Sequence, residues 1–466
     1  MTVQTSVADT TTRELAGQLA IEIAERLADP DRVATAATAA DNVDYWAGLP
    51  APQPPWTGLS LAEGHAGVAL LYAELAHTAP EHRKTAHAHL ASATRTASRE
   101  LNPFTSREVV GLFSGASALA FAACISQYEP SDYATLLDRL DQNVTAVLRA
   151  VLDQEEERLR SGRAGAPMEA FDTINGATGI GRYLLLRQPQ HRELLVRTLS
   201  YMVGLTQSVE VHGHTVPGWW APLWQLPEQL GIDVDAADPL IARGHFNPGV
   251  AHGICGPLAL LALGYQAGIR VPGHEEAIGR IADHLIHFQP ESGLWPTTIS
   301  FDDFIADSSQ VPAADNNPTS WCYGTPGVAR ALYLAGRALD RQDWQQRAIR
   351  ALDTSLTLAG PPYITDATLC HGWAGLLQIT WRTANESGDE GLIARLPGLV
   401  EPILSSYDAD LPFGFTYERS LRQQGWQVAP HQAGLLKGAA GIALALHAYA
   451  TGTPPARNWD AALLLS

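Results

Sequence analysis

The chain has 466 residues, 46% of them hydrophobic, enough for a large buried core, and no run reaches the roughly 18 uninterrupted apolar residues of a membrane span. A formal net charge of −18 argues against nucleic acid and anionic membrane as partners, because both select basic surfaces. Four scattered cysteines do not make a disulfide framework, and the N-terminus lacks a secretion signal, so the expectation is a cytoplasmic protein whose functional cysteines bind metal or catalyse.

In chain order, residues 1–12 read as a disordered tail and 13–466 as a single domain that opens on an amphipathic helix over 15–27. One signature then recurs. A Gly-x-x-Gly step appears as Gly64-His-Ala-Gly67, Gly176-Ala-Thr-Gly179, Gly253-Ile-Cys-Gly256, Gly324-Thr-Pro-Gly327, Gly372-Trp-Ala-Gly375 and Gly438-Ala-Ala-Gly441, with a degenerate copy at Gly115-Ala-Ser-Ala118. Each step leads into a run such as VALLYAEL or IALALHAYA, apolar nearly all round, as in a helix buried on every side. Amphipathic helices lie between them, from Tyr133 to Arg160 and from Ile278 to Leu285. Buried helices alternating with amphipathic ones predict an all-α fold in which an inner ring is wrapped by an outer ring, an α/α toroid. Residues 205–246 and 290–320 are rich in Pro, Gly, Trp and Asp and read as loops or short strands over the active end.

The loops that start the inner helices should crowd one end of such a barrel, and chemistry-bearing residues sit on them. Cys322 lies in Ser320-Trp321-Cys322-Tyr323-Gly324, and Cys370 and His371 directly precede Gly372. Two thiolates and an imidazole suit zinc, and three protein ligands without an obvious fourth leave one position open, the catalytic pattern. Taken singly, each Cys would be a packing residue; their equivalent positions in neighbouring repeats favour metal. Cys124 and Cys255, in apolar helical contexts, are assigned to packing. His252, just before Gly253, and Asp172, just before the third step, are the acid/base candidates, with His252 able to act as donor, base or fourth ligand. Tyr323 and Trp321 flank a ligand and are placed to line the pocket. His65 and His431 lie near other repeat starts.

The motifs Ser-Trp-Cys-Tyr-Gly-x-Pro-Gly, Cys-His-Gly-x-Ala-Gly and Asn-x-Gly-x-Ala-His-Gly, with the recurring glycine steps, resemble the lanthionine synthetase C-like family from about residue 58 to 450. The resemblance implies a toroid of seven inner and seven outer helices, with zinc held by Cys322, Cys370 and His371. It also implies acid/base roles for His252 and Asp172, and pocket positions for Tyr323 and Trp321. Pro318 stands where the family has an arginine, which leaves no cation at that position. The implied reaction is Michael-type addition of peptide Cys thiols to dehydroalanine or dehydrobutyrine in a dehydrated precursor peptide (leader plus core), prepared by a separate dehydratase. Rival expectations are addition of a small thiol such as glutathione, and a zinc-containing scaffold without activity. A zinc prenyltransferase toroid has six helix pairs and an Asp ligand, and a glycosidase toroid needs paired acids where Asp172 has no clear mate.

Overall fold

Each glycine step starts an α-helix in the computed structural model, which describes residues 7–44, 51–100, 111–222, 243–307, 319–361, 363–417, 419–421 and 426–466. In chain order the helices are α1 (Val7–Arg26), α2 (Pro30–Ala37), α3 (His65–Leu75), α4 (His82–Glu100), α5 (Gly115–Ile125) and α6 (Ala134–Arg160). Then come α7 (Met168–Phe171), α8 (Ala177–Leu186), α9 (Arg192–Leu205), α10 (Cys255–Gln266), α11 (His274–His287) and α12 (Phe301–Ile305). The last are α13 (Thr325–Ala338), α14 (Gln342–Thr357), α15 (Trp373–Ser387), α16 (Glu390–Ser405) and α17 (Ala439–Thr451). Three antiparallel strand pairs interrupt them: β1 (Ser208–Val211) with β2 (His214–Pro217), β3 (His245–Phe246) with β4 (Ile299–Ser300), and β5 (Arg419–Leu421) with β6 (Trp426–Val428).

The seven glycine-step helices are α3, α5, α8, α10, α13, α15 and α17. Their starts follow local chemistry. Gly64, Gly176, Gly324, Gly372 and Gly438 are the N-cap residues, and Pro326 fills the first turn of α13, where a missing N–H costs nothing. The helices α15 and α17 stop at Gly388 (φ 68°) and Gly452 (φ 64°), left-handed caps that suit glycine. Every residue of α3 is buried. By contrast α14 buries one stripe, Trp344, Ala348, Ile349, Ala351, Leu352, Ser355 and Leu356, at helical spacing. Burying a side chain such as Leu352 contributes about 1.5–3 kcal/mol.

The chain divides into two compact units. The first comprises Met1–Arg107, Phe113–Leu140 and Gly360–Trp459. In it α15 packs on α17, α17 on α3 and α3 on α5, with α16, α1 and α4 backing α15, α17 and α3. The second comprises Glu108–Leu112, Asp141–Ala359 and Asp460–Ser466, and there α10 packs between α8 and α13, backed by α9, α11 and α14. Within the second unit the segment 460–465 is buried. Its end is tied to the helices of that unit by Arg330 Nε, which donates to Leu465 O at 3.1 Å, and by Arg182 Nε, which donates to Ser466 O at 2.8 Å.

The helix expected over 15–27 spans Val7–Arg26, so regular structure begins inside the stretch expected to be a tail; residues 1–6 lie outside the described residues. The irregular stretches 205–246 and 290–320 hold β1 to β4 and α12, while 223–242 and 308–318, including Pro318, lie outside the described residues. Cys255 is buried in α10, where burial pushes its thiol pKa up. Among the described residues no helix is long and apolar enough to cross a membrane.

Candidate active site

The second glycine of each step explains how the site is built. A Cβ at Gly67, Gly179, Gly327, Gly375 or Gly441 would collide with the carbonyl oxygen six residues earlier, that of Leu61, Thr173, Trp321, Leu369 or Leu435. The loop before each helix therefore folds back under the helix's first turn, and only glycine permits that approach. These loops are then joined by backbone hydrogen bonds. In the second unit Thr173 N–H donates to Ala251 O at 3.0 Å, and Val250 and Ala251 N–H donate to Cys322 O at 3.1 and 3.3 Å. In the first, Cys370 N–H donates to Leu436 O at 2.9 Å, Leu435 N–H to Leu61 O at 3.1 Å, and Leu61 N–H to Phe113 O at 2.9 Å.

In the second unit this stitching brings Asp172, His252 and Cys322 onto adjacent loops. Asp172 ends α7 and is completely buried. Its Oδ1 accepts the Asn175 N–H at 2.5 Å, and its Oδ2 lies 2.6 Å from His252 Nδ1. The His252 side chain is 33% exposed, so one edge stays open. Burial works against charge on His252, but the hydrogen bond and charge of Asp172, followed by the charges of Cys322 and Glu169, outweigh it and raise the imidazole pKa above its ordinary value. Cys322 lies on the loop before α13, its Sγ 3.5 Å from Ser320 Oγ. The Tyr323 ring centre is 6.2 Å from that of His252. Trp321, expected to line the pocket, instead points inward: it is fully buried, and its Nε1–H donates to Leu463 O at 2.9 Å.

In the first unit Cys370 and His371 precede α15 side by side. His371 Nε2 is buried without a hydrogen-bond partner and lies 3.8 Å from Oδ2 of the buried Asp366. Asp366 Oδ1 accepts the Thr368 N–H at 2.7 Å, which fixes the carboxylate. The Tyr417 ring packs against His371 with centres 5.0 Å apart. His65 and His431 have other partners. His65 is buried with Nδ1 3.2 Å from His89 Nδ1, and His431 N–H donates to Asn42 Oδ1 at 2.8 Å.

Two site residues were missed from the sequence. Asp366 is six residues before its step glycine, the register of Asn247 in the α10 loop. Glu169 sits one helical turn before Asp172 and acts on the charge of His252; burial, then the Asp172 charge, raises its own pKa. Nothing in the sequence marks Glu169.

A family model described as lanthionine synthetase C-like protein matches residues 55–464. The chain belongs to the lanthionine synthetase C-like family. Within reach of this family's sequences, the chain is 24% identical over 313 residues to the nisin biosynthesis protein NisC of Lactococcus lactis subsp. lactis, an alignment covering 65% of this chain and 70% of that protein. The solved structure of nisin cyclase matches with a TM-score of 0.69 at 21% identity, covering 88% of this chain and 92% of that one. That likeness establishes the fold of this lanthionine synthetase C-like chain as the α/α toroid expected from the alternation of buried and amphipathic helices.

Proposed function

We propose that this chain is a zinc-dependent lanthipeptide cyclase, which adds cysteine thiols of a dehydrated precursor peptide to dehydroalanine or dehydrobutyrine and so forms thioether rings. Family membership and the likeness to nisin cyclase support a cyclase acting on a precursor peptide. The observation that carries the finer reading is the acid pair, a buried Asp172 holding His252 beside the loop of Cys322. A separate dehydratase would supply the dehydroamino acids.

Cys322, Cys370 and His371 are a possible Cys/Cys/His metal-binding group. The donor set fits zinc with one coordination position left open. The orphaned Nε2 of His371, directed at Asp366, supports this, because a metal-binding histidine characteristically turns its second nitrogen to a carboxylate. When bound, zinc would keep a coordinating peptide thiol deprotonated near neutral pH.

The remaining chemistry falls to side chains. Asp172 takes the Nδ1–H of His252 and so leaves Nε2–H at the open edge. The raised pKa favours the charged, proton-donating form of that imidazole. The thiolate sulfur forms a bond to the β-carbon, the C=C electron pair moves toward the carbonyl, and His252 delivers the Nε2 proton to the α-carbon. Tyr323, next to His252, lies beside the same reacting atoms in this scheme.

Elemental analysis of the wild type and of Cys322→Ala, Cys370→Ala and His371→Ala tests the reading, together with mass spectrometry of a dehydrated peptide after thiol alkylation. About one zinc per chain, lost in the variants, is expected for this donor set. A folded, metal-free wild type would sink the zinc reading. Zinc-loaded protein that couples glutathione but closes no ring would replace cyclisation by small-thiol addition.

A further inference from the structure

The residue just before each first glycine is a register shared by all seven loops. In the second unit it holds Asn175, His252 and Tyr323; in the first it holds Glu63, Ser114, His371 and Lys437. Three of these seven already have roles in the proposed reaction. The backbone bonds from Cys370 to Leu436 and from Leu435 and Leu436 to Leu61 and Ala62 run directly alongside His371, Lys437 and Glu63. Lys437 is thus on the loop next to that of His371.

Its surroundings hold a cation there. Lys437 Nζ stands 5.9 Å from the centre of the Tyr417 ring, the same ring that packs on His371. Glu63 is buried, with Ser60 Oγ–H donating to its Oε2 at 2.6 Å, and the Lys437 charge acts on it. Burial raises the Glu63 pKa; the Ser60 bond and then Lys437 oppose that rise. Lys437 is one of only two lysines in a chain whose cations are otherwise arginine. An ammonium is a compact point charge suited to a single oxygen, whereas a guanidinium suits flat two-oxygen groups.

We propose that Lys437 is a catalytic residue that contacts the substrate, its ammonium donating to the carbonyl oxygen of the dehydroamino acid under attack, with Glu63 as a positioning residue. The inference rests on the cyclase reading. As sulfur bonds to the β-carbon, the C=C pair shifts and negative charge develops on that oxygen as an enolate. A Lys437 N–H hydrogen-bonds to it without transferring its proton. The α-carbon then takes a proton from the acid, the carbonyl re-forms, and Lys437 is unchanged. A preorganised donor aimed at developing charge is worth about 10²–10³ in kcat.

The test uses the full-length zinc-loaded protein and a synthetic peptide with one dehydroalanine and one cysteine. Lys437→Gln should lower kcat about 10²–10³-fold, with zinc content and KM held, and Lys437→Arg, which restores the charge but not the compact donor, should recover only part of the loss. Glu63→Gln should give a smaller fall in kcat. A Lys437→Gln enzyme within twofold of wild-type kcat overturns the role, as does an equal loss in Lys437→Arg. Because the wild type is measured first, zinc-loaded protein that binds the peptide but closes no ring identifies failure of the cyclase reading itself, and the Lys437 role falls with it.

Discussion

His252 Nδ1 and Asp172 Oδ2 lie 2.6 Å apart, joining residues that are 80 positions apart in sequence. The carboxylate is wholly buried and the imidazole partly open, an arrangement that fixes one ring nitrogen inward and presents the other. Charge on His252 is favoured because Asp172, followed by Cys322 and Glu169, more than offsets the cost of burial. His252→Ala is accordingly expected to reduce kcat about 10²–10⁴-fold while zinc content is unchanged. Concurrent loss of zinc would instead make His252 a ligand.

The same pair sets a pH dependence. An acid must be protonated, so activity should fall as pH rises through the raised His252 pKa. The stability term has the same sign: with a raised folded pKa it is full below the ordinary value near 6.5 and is lost as pH rises through the folded one. Asp172→Asn keeps an acceptor for Asn175 N–H but removes the charge, and should move the falling limb of the kcat/KM profile to lower pH. An unmoved limb would assign it to another group.

Asp366 should act through His371. Asp366→Asn is expected to weaken zinc binding about 10–100-fold in a chelator competition, because the carboxylate that orients the ligand is lost. Unchanged affinity would reduce Asp366 to a turn residue that holds Thr368 N–H.

Gly327 lies under the loop of Cys322. A Cβ there would collide with Trp321 O and come within 2.9 Å of Val250 Cγ2. Gly327→Ala should therefore cost about 1–3 kcal/mol in a urea melt and weaken zinc binding, since the loop must shift. In α5 the same register naturally carries Ala118. A melt matching the wild type would show that the α13 loop relaxes as readily.

Burial disfavours charge on several histidines. Burial drives His65 and His284 down to about 3 and His89 to about 4, from an ordinary 6.5. Their depressed pKa values contribute stability that is complete above about 6.5 and is lost as pH falls toward the folded values, by up to about 1.4 kcal/mol per pH unit for each group. Thermal melts should fall steadily from pH 7 to pH 5, and less steeply in His89→Gln. Flat melts over that range would contradict the buried, neutral state.

The pattern of apolar runs behind glycine steps, and the residue types at Cys322, Cys370, His371, His252 and Asp172, are local properties, and they were legible in the sequence. Helix α6 begins within one residue of its expected start for the same reason: a stripe of leucines and valines at helical spacing is a property of a single segment. Helix α1 starts ahead of its expected residue 15 and takes in Thr10, Thr11 and Thr12, whose polar run carries no apolar period to mark a helix. The direction of Trp321 was decided only by tertiary structure. Adjacent residues on a loop give no sign of which faces inward, and Trp321 is drawn to Leu463 O, 142 positions away. Glu169 and Asp366 became visible the same way, as partners of His252 and His371. Sequence periodicity reports burial against a whole face of neighbours, but a single hydrogen bond depends on one distant atom. That is why the ring of helices could be read in advance, while the partners that orient its reactive side chains had to be seen in three dimensions.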